Sequence, residues 1–246
     1  MIWKAGKTAM KKWILRIFKA IVIVSVLTGT FFICKGYCMF QNALEECSLT
    51  DKVRSIRAME NYTTLEELPK MYIDAVVAVE DHRYYDHGPI DIFSIGRALW
   101  VNLKSFSLDE GGSTITQQLA KNMYFTQEKK LERKIAETFM AFALEDQYEK
   151  DEILELYVNI IYFGSGYYGV YDACRGYFGK DPSEMTDYEC TLLAGIPNAP
   201  SVYSPNVNPE LSAQRQQQVL ARMVDYDYIT EEEARSITAN LYTAAQ

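Results

Sequence analysis

The sequence predicts a mainly α-helical protein. Apolar residues recur at the spacing of helical turns in several segments, residues typical of helix starts precede some of them, and the alternating pattern of strands is scarce. With 246 residues, the chain is long enough for one sizeable domain and an extension. It shows neither a fixed-period repeat nor a low-complexity tract.

The N-terminal segment predicts a membrane anchor. The basic residues Lys4–Lys19 come without an acidic residue, and Ala20–Cys34 is apolar or hydroxylic. A helix over residues 13–34 is about 33 Å long, enough for a hydrocarbon core of about 30 Å. The basic side should stay inside the cell, so we expect a cytoplasmic basic tail at 1–12, a single-pass anchor at 13–35 and an extracytoplasmic remainder. A cleaved signal is the alternative, but no Ala-x-Ala-like site follows.

Charge and composition exclude some classes of partner and site. The formal net charge is −8, and the part beyond the anchor is more acidic still, so nucleic acid is not an expected partner. Five scattered cysteines have neither disulfide-scaffold density nor Cys-x-x-Cys spacing. The two histidines, His82 and His87, lie in one block, which gives little support to a multi-histidine metal site.

The elements follow in order along the chain. Residues 36–62 read as a polar juxtamembrane segment with some helical character, and residues 63–246 as the main domain. Thr64 with Glu67, ahead of Pro69, predicts a helix start. The apolar residues of that helix recur at i, i+3, i+4 and i+7 and should form its buried face, which consists of Tyr72, Ala75, Val76 and Val79. Glu80 lies at the end of this face. The helix should then break at Asp86, Gly88 and Pro89.

Further helices are predicted toward the C-terminus. In the segment Leu131–Tyr148, one side should be apolar, formed by Leu131, Ile135, Thr138, Phe139 and Phe142. An amphipathic helix should begin near Ile153 and end at the glycines from Gly164 onward. The remaining predicted helices are Glu184–Ile196, Glu210–Tyr226 and Thr230–Tyr242.

The block Gly111–Asn122 (GGSTITQQLAKN) predicts an anion site. Thr114 and Gln117 fit a capping box, so a helix should begin there. Glycines allow close backbone approach, and a helix start beside a lysine suits phosphate or pyrophosphate. A local positive cluster accompanies the block and consists of Lys121, Lys129, Lys130, Arg133 and Lys134. Alone, such a cluster is usually a solvated helix face; beside this block it favours an anion.

Two glutamates are candidates for chemistry. Glu80 ends an apolar helix face, where partial desolvation should raise its pKa and suit it to acid–base work; Asp81 should add to that shift. Glu137 shares a helical face with Lys130 and Lys134. It is either half of a surface ion pair, a group that holds the cations in register, or a ligand for a divalent metal such as Mg²⁺ or Mn²⁺ that bridges a pyrophosphate. No organic cofactor is expected.

Six blocks, in this order, resemble the peptidoglycan glycosyltransferases, which occur as domains of bifunctional penicillin-binding proteins and as monofunctional membrane enzymes. The resemblance covers roughly Pro69–Arg222, in the blocks EDHRYYDHG (Glu80–Gly88), GGSTITQQLAKN (Gly111–Asn122), RKIAE (Arg133–Glu137), ILELYVNIIYFG (Ile153–Gly164), YFGK (Tyr177–Lys180) and LAGIPNAPSVYSP (Leu193–Pro205).

The resemblance implies a fold and a reaction. The fold is a lysozyme-like helical lobe with a smaller membrane-proximal jaw lobe, preceded by one transmembrane helix. The reaction is polymerisation of lipid II: the growing chain on undecaprenyl pyrophosphate is the donor, and the GlcNAc 4-hydroxyl of lipid II attacks its anomeric carbon with inversion. It implies partners too, namely lipid II, the lipid-linked glycan chain, the cytoplasmic membrane and other cell-wall synthesis proteins. Moenomycin sensitivity is a further implication.

The resemblance also implies roles for residues. Glu80 matches the general base, and Glu137 matches a second glutamate at the pyrophosphate or its metal. The phosphate-contacting cations are Lys121, Lys129, Arg133 and Lys134. The substrate-binding set is completed by Asp81, Ser113, Thr114, Gln117, Gln118 and Asn122.

Departures from the family pattern are few. Tyr84 stands where phenylalanine is common, Lys129 where some members have arginine, and Cys174 where a small apolar residue is usual. Ser-x-x-Lys with Lys-Thr-Gly does not occur, so transpeptidase activity is not expected. Two alternatives stay open: a lysozyme-like lytic enzyme, which has no need of a phosphate-facing lysine cluster, and a non-catalytic membrane-tethered scaffold.

Overall fold

The computed structural model describes residues 2–105, 111–126 and 130–244. Within these ranges the chain is built from α-helices, with short 3₁₀ turns and one isolated β-bridge between Tyr162 and Tyr168. The helices are α1 (Ile2–Glu46), α2 (Leu49–Arg57), α3 (Lys70–Glu80), α4 (Ile92–Ser105), α5 (Ile115–Tyr124), α6 (Leu131–Gln147), α7 (Lys150–Ile160), α8 (Val170–Phe178), α9 (Asp187–Gly195), α10 (Pro200–Tyr203), α11 (Pro209–Asp225) and α12 (Glu231–Ala244).

Helix α1 is one continuous helix that runs past the predicted end of the anchor at residue 35. Its stretch Trp13–Glu46 is long and apolar enough to cross a membrane, with an 18-residue window of mean hydropathy 2.3. Beyond residue 35 it packs along α6. Gly36 permits this contact, since a Cβ there would lie 2.5 Å from Cγ2 of Ile135. The predicted juxtamembrane segment is therefore mostly helical, in the end of α1 and in α2.

The core lies where α3, α5, α7 and α9 meet, with α6 and α11 outside them. The predicted face of α3 is found: Tyr72, Ala75 and Val76 are buried, and Val79 is half-buried. The helix starts at Lys70, after a 3₁₀ turn over Leu65–Glu67 that carries the predicted capping box. It ends at Glu80 itself, earlier than the predicted break.

The prediction for α6 is wrong in one respect: the side that was predicted to be apolar does not face the core. Leu131 and Phe142 are 57% and 49% exposed. Phe139 packs instead against α1, with its ring 5.3 Å from that of Tyr37. The buried face consists of Ala136, Glu137, Met140, Ala141 and Leu144. The predicted side is turned toward α1 and solvent, whereas the face that packs in the core carries the large Met140 and Leu144 together with two alanines.

Three elements differ from the sequence-based expectation. Helices α4 and α8 were not predicted, although Gly179, in the left-handed conformation directly after α8, is a usual helix-ending residue. The single helix predicted over Glu184–Ile196 is shorter: α9 begins after the Thr186 cap, and 3₁₀ turns flank it. The helices near the C-terminus agree with prediction to within two residues.

Candidate active site

Glu80 lies at the C-terminal end of α3, at the wall of a cavity. Its Oε1 is buried and has no hydrogen-bond partner among the described residues. Burial raises the pKa of this carboxyl group, and Asp81 adds to the shift, whereas the hydrogen bond from Gln118 and the charges of Arg215 and Lys121 oppose it. A carboxylate that has a raised pKa and one oxygen without a hydrogen-bond partner is suited to accept a proton.

Gln118 holds the other oxygen of Glu80. Its Nε2 donates to Oε2 of Glu80 at 2.9 Å, and its Oε1 accepts a hydrogen bond from the hydroxyl of Tyr157 at 3.3 Å. Helix α5 therefore places an amide donor directly on the candidate base. Gln118 also lines the cavity, and its predicted role in substrate binding stays a prediction.

Helix α5 begins at the predicted position. The side chain of Thr114 accepts a hydrogen bond from the backbone N–H of Gln117, and the amide of Gln117 completes the capping box. The N–H of Ile115 donates to Oδ2 of Asp81 at 3.1 Å. The positive end of α5 thus faces a carboxylate of the protein, so the cations must supply most of the attraction for an external phosphate.

Asp81 also belongs to a small cluster below the cavity. Its Oδ1 lies 2.7 Å from Nε2 of His87, while Asp91 is ion-paired with Arg83 and hydrogen-bonded to Ser94. The ligand atoms of Asp81, His87 and Asp91 lie within 4.8 Å of one another, as in a metal site. Each carboxylate also has donors from the protein, and these bonds tie α3, the following loop and α5 together.

Glu137 lies between two cations and is 1% exposed. Arg133 pairs with its Oε1, and Nζ of Lys134 is 3.0 Å from its Oε2. Lys134 also donates to Oγ of Ser113 at 2.6 Å. Of the predicted roles for Glu137, the one that holds cations in register matches these contacts. The divalent metal stays a prediction, but a carboxylate with a cation at each oxygen is a poor ligand for another cation.

The electrostatics of the cations reflect their crowding. The pKa of Lys134 is lowered to about 8, chiefly by burial and also by the charges of Arg133 and Lys121. The pKa of Lys121 is also lowered, by burial and by Arg133, while Glu80 opposes the shift. Cations that repel one another bind a dianion readily, because it relieves the repulsion.

The cavity between α3, α5 and α11 has a volume of about 700 Å³. Five residues of the predicted set line it, namely Glu80, Asp81, Ser113, Gln118 and Lys121. Gly111 also lines it, as the glycine argument predicted, but Gly112 packs against the backbone of α4, where a Cβ would lie 3.1 Å from Cα of Ile95. A volume of this size admits sugar rings rather than a small ion alone.

The sequence of this chain also matches a known protein family. The family model described as "Transglycosylase" matches residues 49–224. This range includes Glu80, the α5 block and the cations of α6. The chain belongs to the transglycosylase family.

Relatives fall into two kinds of architecture. A protein of Cupriavidus necator that is named a transglycosylase is 43% identical over 180 residues, which is 73% of this chain and 78% of that protein. Penicillin-binding protein 1F of Bacillus subtilis is 44% identical over 171 residues, and penicillin-binding protein 1A of Aquifex aeolicus is 46% identical over 172 residues. The match covers 70% of this transglycosylase but only 24% of each of those two proteins.

The other described residues that were predicted to bind substrate are not in the wall of the cavity. Thr114 and Gln117 are buried in the helix cap, where Nε2 of Gln117 donates to Thr138 at 3.2 Å. Asn122 is half-buried on α5 and is not in the wall of the cavity. Lys134 reaches the cavity edge through Ser113, and Arg133 shares Glu137 with it. Lys129 lies outside the described residues.

Sequence reasoning missed the wall that α10 and α11 supply. Arg215 is close enough to Glu80 for their charges to interact. Burial lowers the pKa of the Arg215 guanidinium, and the charge of Glu80 opposes this shift. Its guanidinium donates to the carbonyl of Gly195 at 3.3 Å and lies over the ring of Tyr203. At the mouth, the ring of Tyr226 stacks on His82 at 4.0 Å. The further lining residues that were not predicted include Arg97, Asn198, Gln218 and Arg222.

Proposed function

We propose that this transglycosylase polymerises lipid II into peptidoglycan glycan strands by inverting glycosyl transfer. The donor is the growing chain on undecaprenyl pyrophosphate, and the acceptor is the GlcNAc 4-hydroxyl of lipid II. Membership of the family supports the reaction class. The observation that carries the proposal is the buried, unpartnered Oε1 of Glu80 in a sugar-sized cavity edged by cations.

In the proposed reaction, Glu80 is the general base. Its Oε1 takes the proton of the acceptor hydroxyl as the hydroxyl oxygen forms a bond to the anomeric carbon of the donor. The bond from that carbon to the pyrophosphate breaks on the opposite face, so the configuration inverts. The raised pKa of Glu80 brings its basicity closer to the operating pH than that of an ordinary glutamate.

The cations act on the leaving group in this proposal. Lys121 lies in the cavity wall, and Lys134 and Arg133 stand next to it with Glu137 as their common anchor. Negative charge grows on the pyrophosphate as the glycosidic bond breaks, and fixed cations stabilise that charge without reorganising. A divalent metal remains a proposal that a chelator assay can test; none of these steps depends on it.

The membrane attachment in this proposal depends on α1. The apolar stretch of α1 would anchor the protein by a single span, with residues 1–12 cytoplasmic and the helical domain outside. Helix α4 supports a membrane-proximal jaw, because Ile92, Phe93, Trp100 and Leu103 are each more than 70% exposed on it. A substrate with a lipid tail can then reach the cavity without leaving the bilayer.

Replacement of the base tests the function. We expect Glu80→Gln to lower the rate of lipid II polymerisation by at least about a hundredfold, the usual contribution of a general base. The purified full chain in detergent is assayed for glycan product, with Glu66→Gln, an exposed carboxylate, as the control. Full activity of Glu80→Gln would refute the role of Glu80, and muropeptides released from cell-wall sacculi would favour a lytic enzyme.

A further inference from the structure

A chain of buried polar groups stands behind Glu80. The hydroxyl of Tyr157, on α7, donates to Oε1 of Gln118, on α5, and Nε2 of Gln118 donates to Oε2 of Glu80, on α3. Tyr157 is fully buried in the core. Three helices that are distant in sequence thus contribute one group each to a line of hydrogen bonds that ends on the carboxylate.

The order of these bonds depends on the tyrosine. An amide side chain has an acceptor end and a donor end of nearly equal shape, so packing alone does not decide which end faces Glu80. If the carbonyl end faced Glu80, two acceptors would oppose each other. Burial, and then the charge of Glu80, raise the pKa of Tyr157 far above its usual value, so its hydroxyl keeps its proton and donates to the amide carbonyl.

We propose that Tyr157 is a positioning residue for glycosyl transfer, which orients Gln118 so that its N–H fixes Oε2 of Glu80 and leaves Oε1, which has no partner among the described residues, to take the proton of the acceptor hydroxyl. This inference rests on the proposed function and deepens it. The two oxygens of Glu80 are unequal as the inference requires: Oε2 has the amide donor, and Oε1 is buried with no partner among the described residues.

Tyr72 offers a matched control. It is on α3, fully buried and close enough to Glu80 to be affected by its charge, as Tyr157 is. Its hydroxyl, however, has no hydrogen-bond partner among the described residues. Tyr72→Phe therefore removes a buried hydroxyl near the base without breaking the hydrogen-bond line, whereas Tyr157→Phe breaks it.

The experiment compares both variants of the full chain in lipid II polymerisation across a pH series. For Tyr157→Phe we expect kcat to fall by about three- to tenfold, the value of one neutral hydrogen bond, with KM unchanged. The acid limb of kcat should move to higher pH, because a less well oriented amide lowers the pKa of Glu80 less. The other groups facing Glu80, namely Asp81, Lys121, Arg215 and Tyr72, are the same in the wild type and in Tyr157→Phe. Tyr72→Phe should match the wild type.

The outcomes separate this inference from the proposed function. If Tyr157→Phe and Tyr72→Phe agree in kcat and in the acid limb while the wild type polymerises lipid II, Tyr157 has no positioning role. If Tyr157→Phe fails to fold, Gln118→Leu interrupts the same line at the cavity wall and must move the acid limb in the same direction; an unmoved limb overturns the inference. An inactive wild type or a fully active Glu80→Gln contradicts the function itself, and the role of Tyr157 with it.

Discussion

At the residue scale, Lys134 sets an alkaline limit on binding. Its pKa of about 8 means that the amine is charged below that pH and neutral above it. Because a neutral amine no longer attracts pyrophosphate, kcat/KM should fall as the pH rises through about 8, the pKa of the free enzyme. Lys134→Arg, whose guanidinium stays charged, should remove this limb while the acid limb from Glu80 remains.

The measurement is a pH profile of kcat/KM for lipid II polymerisation. Lys70→Arg is the control, since Lys70 is an exposed lysine paired with Asp74. Its profile should match that of the wild type. An alkaline limb near pH 8 that persists in Lys134→Arg would assign the limb to another group.

Single residues also show where sequence reasoning stops. The sequence placed both Gln117 and Gln118 in the substrate-binding set. In the structure Gln117 completes the capping box of α5, and Gln118 lines the cavity and donates to Glu80. Both residues follow the helix start directly, so local pattern alone did not separate the two amides. Arg215 was not predictable from local pattern, because its helix joins the site only through the packing of α11 on α3 and α9.

At the element scale, α6 shows how periodicity can be correct and still misleading. The predicted residues do share a face, but that face meets α1 and solvent, while Met140, Leu144, two alanines and Glu137 face the core. Large apolar residues occur on both faces, so the hydrophobic pattern alone does not decide which face the core covers. The predicted face of α3 is buried, but Val77 and Ala78 on its other side are buried too, because α3 packs on both α9 and α11.

The contact of α1 with α6 gives a prediction for the same scale. A Cβ at Gly36 would lie 2.5 Å from Cγ2 of Ile135 and 2.9 Å from the backbone oxygen of Glu132. Gly36→Ala should therefore push the two helices apart and lower the free energy of unfolding by about 1–3 kcal/mol, the usual cost of overpacking. Thermal unfolding of the detergent-solubilised chain measures the change.

Gly29 is the matched control for that substitution. It lies on the same helix, and no described atom comes within 4 Å of the position that a Cβ would take there. Gly29→Ala should leave the unfolding temperature unchanged or raise it slightly, since alanine favours a helix more than glycine does. Equal effects of the two substitutions would mean that the α1–α6 contact adds no measurable stability.

At the scale of the whole molecule, three features point the same way. Helix α1 carries the apolar stretch, and α6 packs on the C-terminal part of α1. Helix α6 also carries the cations at the edge of the cavity. Because α1 continues without a break into this contact, the distance from the membrane surface to the cations is fixed by helix geometry rather than by a linker. That arrangement suits a reaction whose leaving group stays attached to a lipid.

The exposed face of α4 provides the test at this scale. Trp100 and Leu103 are both 71% exposed and lie one turn apart. If this face meets the bilayer, a Trp100→Glu/Leu103→Glu variant should polymerise lipid II in anionic vesicles at least about tenfold more slowly, because charged groups are costly in the hydrocarbon region. In detergent its activity should stay close to that of the wild type.

The control for this test is Met59→Glu, which places a charge at an apolar site that is 47% exposed. Equal losses in vesicles and detergent would show that α4 shapes the cavity itself and does not contact lipid.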